Sequence, residues 1–334
     1  MARIGVLGAG TWGMALARML CNMKHEVQVW SALGQEIDEL QRTGVHPKLK
    51  NMVIPKELKY TKNIAEVCTD KDILLFAVPS VFVRSTAKSA AEYIKDGQVI
   101  VDVAKGIESG TLFTMTEIIR DELDKKGGME HVKLVALSGP THAEEVAIDL
   151  PTLIVAASSD QEAAHFVQKI FMNPKFRVYT NTDIHGVEIC GAFKNIIALG
   201  TGIARGLGYG DNTCAALITR GVRELSNLGE LMGCKPETFN GLAGIGDLIV
   251  TCTSLHSRNL TAGMLLGQGK SRDEAVKEVG MVVEGIYALD AAMQLKKKYN
   301  VELPICEMVN GIINEGLAPA AGEAMLMNRM GREE

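Results

Sequence analysis

The chain has 334 residues, 47% hydrophobic and 22% charged, with a net charge of -5. That length gives one or two domains with a sizeable core, and the composition is that of a globular enzyme. The negative balance argues against a nucleic-acid partner, and seven cysteines without a Cys-x-x-Cys pair suit free thiols in a reducing cytoplasm.

Arg3–Leu7 is a short apolar strand, followed by Gly8-Ala9-Gly10-Thr11-Trp12-Gly13 and a helical run from Met14. Strand, glycine turn and helix in that order suit a dinucleotide. The first glycine permits the turn, the second lets a pyrophosphate reach the backbone, and the third packs helix on strand. The next strand, Glu26–Trp30, should end in the acid that holds the ribose hydroxyls, yet Ser31-Ala32 stands there, neither acidic nor basic.

Further strands are expected at Asp72–Val78, Val99–Val103, Val132–Leu137, Thr152–Ala156 and Phe176–Tyr179. Helices are expected at Ser85–Ile94, Thr111–Lys125 and Gln161–Phe171. Apolar strands alternating with helices predict a largely parallel sheet covered on both faces, with ligands at the carboxyl ends of strands. Two polar clusters fall at such ends: Lys105-Gly106, and Ser138-Gly139-Pro140-Thr141-His142-Ala143-Glu144. Read alone, each is more readily ordinary loop chemistry than a functional site.

Beyond residue 182 helical periods take over, so the domains are placed at 1–182 and 183–334, the second all helical. Its first helix, with Asp183 as cap, carries Val187, Ile189, Phe193, Ile196, Ile197 and Leu199 and almost no polar face. A helix apolar all round is buried, and an isolated buried ammonium is costly. Lys194, beside Asn195, must therefore find a partner, reach a cleft or lose its proton. Gly186, Gly191, Gly200 and Gly202 weaken this helix unless backbone or ligand comes very close. The plain alternative is a lysine that snorkels to the surface.

Helices are also expected at Asn212–Met232, Arg258–Leu266, Arg272–Glu278, Glu284–Tyr299 and Ile305–Glu315. Gly241–Ser254 reads as a glycine-rich turn holding Asp247, followed by Ser257-Arg258-Asn259. Arg258 could grip a phosphate bidentately, although a helix cap at Asp247 and a surface ion pair at Arg258 explain them as well. The histidines lack metal-ligand spacing, so no metal is expected. No apolar run reaches the roughly 20 residues of a spanning helix, so no stable membrane insertion is expected. With a strand two residues from Met1, no signal peptide is expected.

Seven motifs together resemble the bacterial soluble NAD(P)-dependent glycerol-3-phosphate dehydrogenases. They are Gly8–Gly13, Phe76–Ser80, Val103–Gly106, Leu137–Thr141, Gly191–Asn195, Gly244–Leu248 and Ser257–Asn259, in the family's order across nearly the whole chain. The resemblance implies an α/β fold, a Rossmann-like dinucleotide domain followed by a helical domain. It implies hydride transfer between dihydroxyacetone phosphate and sn-glycerol 3-phosphate, which supplies the backbone of membrane lipids. Lys194 matches the general acid/base, with Lys105 and Asp247 beside it. Substrate contacts carry over to Lys105, Gly139, Thr141, Lys194, Asn195, Asp247, Thr251, Ser257, Arg258 and Asn259. Cofactor contacts carry over to Gly8, Gly10, Thr11, Trp12, Gly13, Lys105, Ala143, Arg258, Val282 and Glu284. At Ser31-Ala32-Leu33 many relatives place a basic residue, so use of both NADPH/NADP and NADH/NAD is expected here. A cytoplasmic enzyme with a small-molecule substrate and no nucleic acid follows, with a homodimer left open. The competing readings are a β-hydroxyacid or 6-phosphogluconate dehydrogenase, against which Gly244–Asp247 and Ser257–Asn259 speak, and a non-catalytic nucleotide sensor.

Overall fold

The computed structural model describes residues 1–331 and Glu333. The chain divides into two compact units, Met1–Lys105 with Phe113–Glu188, and Gly106–Leu112 with Ile189–Glu334. In the first, strands β1 (Arg3–Leu7), β2 (Glu26–Trp30), β3 (Lys59–Thr61), β4 (Ile73–Phe76), β5 (Val99–Asp102), β6 (Lys133–Ser138), β7 (Thr152–Ala157) and β8 (Phe176–Asn181) form one sheet. Their order is β3-β2-β1-β4-β5-β6-β7-β8. Neighbours are parallel except β6 and β7, where Ser138 pairs antiparallel with Val155.

Alternation along the strands sends Ile4, Val6, Ile73, Leu75 and Val101 into one apolar cluster and Leu7, Leu74, Phe76 and Ile100 into another. Both faces are therefore covered, as parallel strands require. The covering helices are α1 (Thr11–Asn22), α2 (Gly34–Thr43), α3 (Ile64–Cys68), α4 (Val83–Ala90), α5 (Met115–Lys126), α6 (Ala143–Val146) and α7 (Gln161–Phe171). Strand β3 was not legible in the sequence. It is three residues long and pairs only with β2, so edge hydrogen bonds rather than an apolar run define it. Helix α5 begins at Met115 and not at Thr111, because Thr114 and Glu117 form a capping box there.

The second unit holds α8 (Ile184–Gly206), α9 (Asp211–Leu231), α10 (Pro236–Phe239), α11 (Asp247–Thr253), α12 (Arg258–Gly267), α13 (Arg272–Val279), α14 (Glu284–Tyr299), α15 (Pro304–Asn314) and α16 (Pro319–Met327). The first turn of α8 counts with the sheet unit. The Asp183 carboxylate accepts from Gly186 N at 2.9 Å, so it caps this helix as expected. The expectation that no segment reaches membrane-spanning length needs correcting, because the 23 residues of α8 are long and apolar enough. Its apolar window is wholly buried inside the protein, which accounts for that composition without a bilayer. The segment Gly106–Leu112 packs with the helical unit, where Ser109 Oγ bonds Asp290 at 2.9 Å and Gly110 N bonds Gln294 at 3.1 Å.

Two pairs of glycines bring α8 and α12 into backbone contact. A Cβ on Gly202 would lie 2.3 Å from Leu260 O, and one on Gly263 would lie 2.2 Å from Leu199 O. One turn on, Gly206 and Gly267 repeat the arrangement, at 2.2 Å from Met264 O and 2.3 Å from Ile203 O. The helical cost of glycine is thus repaid by an approach that no larger residue permits.

Two buried carboxylates each sit at the N-terminus of another helix. Glu188 accepts from Thr116 N and Thr114 Oγ1, both at 2.8 Å, and from Thr116 Oγ1 at 2.6 Å. Glu224 accepts from Ile305 N at 2.8 Å. Burial pushes both carboxyls up to about 7, against the pull of these hydrogen bonds.

Gly202→Ala should destabilise the protein by about 1–3 kcal/mol, the usual cost of overpacking, read from urea unfolding. A midpoint equal to the wild type would mean that the helices are further apart. The Glu188 carboxyl binds its proton more tightly when folded, so its contribution falls as pH rises from the unfolded value of 4.5 towards 7. Glu188→Gln cannot titrate. Its stability relative to the wild type should therefore rise by up to ~3 kcal/mol across that window, with Glu224 cancelling in the comparison. A pH-independent difference in urea unfolding would rule this out.

Candidate active site

The glycine turn after β1 divides its work as the sequence suggests. Gly8 has φ +125°, and a Cβ there would lie 2.5 Å from Ala77 O; one on Gly13 would lie 2.3 Å from Gly8 O. Gly10 is different, because a Cβ there would meet nothing within 4 Å. Two glycines are therefore required by the fold, and the middle one borders open space. Helix α1 starts beyond it at Thr11-Trp12, with no side-chain cap and no acid in its first turn. Its free N–H groups and positive dipole end suit a pyrophosphate, so the residues present fit a dinucleotide. Gly8 N donates to Trp30 O at 2.8 Å, which ties the turn to the end of β2.

At the ends of β5 and β6 the structure brings Lys105, Gly139 and Thr141 together. Lys105 Nζ and Thr141 Oγ1 both donate to Gly139 O, at 3.3 and 3.2 Å. Ala143 is buried at the first position of α6. These two clusters, separate in sequence, are one polar site in the sheet unit.

In the helical unit Lys194 does not snorkel. Its side chain is 8% exposed and that of Asp247 1%, and Lys194 Nζ donates to Asp247 Oδ1 at 2.5 Å and to Thr251 Oγ1 at 2.7 Å. The Thr251 hydroxyl in turn donates to Asp247 O at 2.6 Å. Gly241–Ser254 is not the open turn expected from its glycines. A π turn over Leu242–Gly246, broken at Gly244, runs into α11. Gly244 is crowded against the Phe239 backbone, where a Cβ would lie 2.1 Å from Phe239 O, so its glycine is a packing requirement. Asp247 opens α11, but its carboxylate faces Lys194, so the alternative reading of a helix cap fails.

Asn195 and Asn259 join three helices. Asn259 Nδ2 donates to Asn195 Oδ1 and Asn259 Oδ1 accepts from Gly285 N, each at 2.9 Å. Asn195 also donates to Gly191 O at 3.2 Å. Ser257 caps α12, accepting from Leu260 N at 3.2 Å. Arg258 follows it, half-buried and with no hydrogen-bond or ion-pair partner among the described residues, so the ion-pair alternative fails. Val282 is half-buried just before α14, which Glu284 opens. Glu188, six residues before Lys194 on α8, was not singled out from sequence. Its signal was a lone carboxylate in an apolar helix, the same signal that marked Lys194.

Both units match models of one family. The N-terminal model of NAD-dependent glycerol-3-phosphate dehydrogenase matches residues 3–164, and the C-terminal model matches residues 183–322. A glycerol-3-phosphate dehydrogenase (NAD(P)+) 2 of Lactobacillus delbrueckii is 65% identical, over 95% of this chain and 94% of that protein. The glycerol-3-phosphate dehydrogenase (NAD(P)+) of Fusobacterium nucleatum is 52% identical, over 98% of each. The crystal structure of glycerol-3-phosphate dehydrogenase from Coxiella burnetii superposes with a TM-score of 0.93 at 36% identity, covering 98% of this chain and 99% of that one. With the glycine turn, the Lys194–Asp247 pair and these matches over both units, the chain belongs to the NAD-dependent glycerol-3-phosphate dehydrogenase family.

Proposed function

We propose that the protein interconverts dihydroxyacetone phosphate and sn-glycerol 3-phosphate with NADH or NADPH, and that the reduction supplies the backbone for glycerophospholipids. The observation that carries this reading is the buried ammonium of Lys194 held by Asp247 and Thr251. The nicotinamide, when bound, supplies or accepts the hydride. Reduction of a ketone leaves an alkoxide, so a proton must reach that oxygen as the charge develops. Lys194 Nζ, held by Asp247 and Thr251, would give a proton to the substrate oxygen as the alkoxide forms. In the reverse direction the amine takes the hydroxyl proton back. Asp247 orients the group and keeps it from wandering. Lys105, with Gly139 and Thr141, would line the substrate.

The phosphate grip falls to Arg258, a half-buried residue whose side chain is unpaired among the described residues. Asn195 and Asn259, proposed as substrate contacts from the resemblance, already hold helices together; each amide keeps one further N–H for a ligand. Thr11, Trp12, Ala143, Val282 and Glu284 are proposed as cofactor contacts. Seven buried free thiols are in keeping with a cytoplasmic setting. A homodimer is part of the same proposal.

The direct test is oxidation of NADH and NADPH with dihydroxyacetone phosphate, followed by the loss of reduced-nicotinamide absorbance. Consumption of neither, with turnover of other phosphorylated or 3-hydroxy substrates, would replace the substrate assignment. Lys194→Ala should lower kcat at least about a hundredfold while leaving cofactor affinity nearly unchanged. Near-normal turnover in that variant would remove Lys194 from the mechanism. Arg258→Ala should raise the KM for dihydroxyacetone phosphate by about tenfold to a hundredfold, the scale of charged hydrogen bonds, and affect unphosphorylated dihydroxyacetone far less. An equal effect on both substrates would refute a phosphate grip.

A further inference from the structure

The end of β2 lacks the acid expected there, yet the fold returns one to the same place. Ser31, buried directly after Trp30, donates its hydroxyl to Glu36 Oε2 at 2.6 Å and accepts from Leu33 N at 3.1 Å. Its hydrogen-bonding capacity is largely spent on holding Glu36 in place. Glu36 is otherwise exposed, and its Oε1 has no partner among the described residues. Trp30 O accepts from Gly8 N, so Ser31, which holds this carboxylate, directly follows the residue bonded to the glycine turn. His46 makes the same connection from the other side. Its ring meets Ala9 O of the turn at 3.3 Å, and the Glu36 charge acts on it.

We propose that Glu36, positioned by Ser31, selects the cofactor at its adenosine ribose, favouring the free 2′-hydroxyl of NADH over the 2′-phosphate of NADPH. This rests on the reading of the glycine turn as a dinucleotide site. A carboxylate accepts hydrogen bonds from a ribose diol and repels a phosphate. The start of α2 makes the contrast with α1 clear. Helix α1 has no acid in its first turn and leaves its N-terminus open to an anion, whereas α2 carries Glu36 in its first turn. The cations nearby do not offset it. Lys62 lies against Gly34, but its ammonium is paired with Asp38 at 2.5 Å. His46 is buried, and burial lowers its pKa despite the opposing pull of Glu36 and Glu39, with Lys48 acting in the same direction as burial. Ala32 and Leu33, both exposed, supply no guanidinium where a 2′-phosphate would need one.

The test is calorimetric binding, independent of turnover, of NADH, NADPH, AMP and adenosine 2′,5′-bisphosphate to the wild type, Glu36→Gln and Glu36→Lys. The wild type should bind NADH at least about tenfold more tightly than NADPH, and AMP more tightly than the bisphosphate. Glu36→Gln should narrow both ratios, and Glu36→Lys should invert them, with unchanged thermal melting showing that the exposed substitution leaves the fold intact. Equal or tighter NADPH binding by the wild type, or ratios unmoved in both variants, would overturn the proposal. Binding of neither dinucleotide would overturn the reading of the glycine turn, and this inference with it. Tight binding of both with equal affinity would overturn the selection alone.

Discussion

A cation inside a helix that is apolar on every side is tolerable only with a dedicated acceptor, and much of the helical unit is arranged around meeting that demand for Lys194. Asp247 meets it from 53 residues away in sequence, at 2.5 Å. Breaking such a pair would leave an uncompensated buried charge, which is why both members and Thr251 must be held in register. The π turn over Leu242–Gly246, with Gly244 pressed on the Phe239 backbone, aims Asp247 at Lys194. The glycine contact between α8 and α12 fixes the other side. It brings Asn195 and Asn259 within hydrogen-bonding distance, and through Gly285 it ties α14 to the same joint.

The sheet unit solves a different problem, which is to leave backbone donors unpaired without burying them. Most buried N–H groups must be bonded, so free ones persist where a ligand or water replaces the partner. At Gly10 and the start of α1 the absence of a side chain and of any first-turn acid keeps that space open. At the start of α2, one strand over, Glu36 fills the equivalent electrostatic position. Two helix N-termini of similar intrinsic dipole are thereby given opposite preferences by a single side chain.

Buried carboxylates show the same economy. Glu188 and Glu224 accept from backbone N–H groups at helix starts, Glu188 from α5 and Glu224 from α15, so one group satisfies orphaned donors and fixes the packing of two elements. Burial nevertheless raises both carboxyls to about 7, because hydrogen bonds from neutral donors only partly replace water. No full positive charge is among the leading causes of either shift apart from the weak pull of Arg329 on Glu224.

Local signals carried much of this protein in its sequence. Apolar runs placed seven of the eight strands, glycine spacing identified the turn after β1, and the isolated lysine in α8 called for a partner, a cleft or the loss of its proton unless it snorkelled to the surface. Those features depend on the chemistry of a few adjacent residues, so they survive without knowledge of the fold. Strand β3 did not, because a three-residue edge strand is defined by its neighbour. Nor did α11, since glycines that permit a tight approach look the same in sequence as glycines that make a loop. That Asn195 bonds Asn259 and that Glu188 serves α5 are decisions of the tertiary structure. Each joins groups through space whose relation leaves no local trace, because a hydrogen bond depends on the few ångströms between its atoms and not on the number of residues separating them.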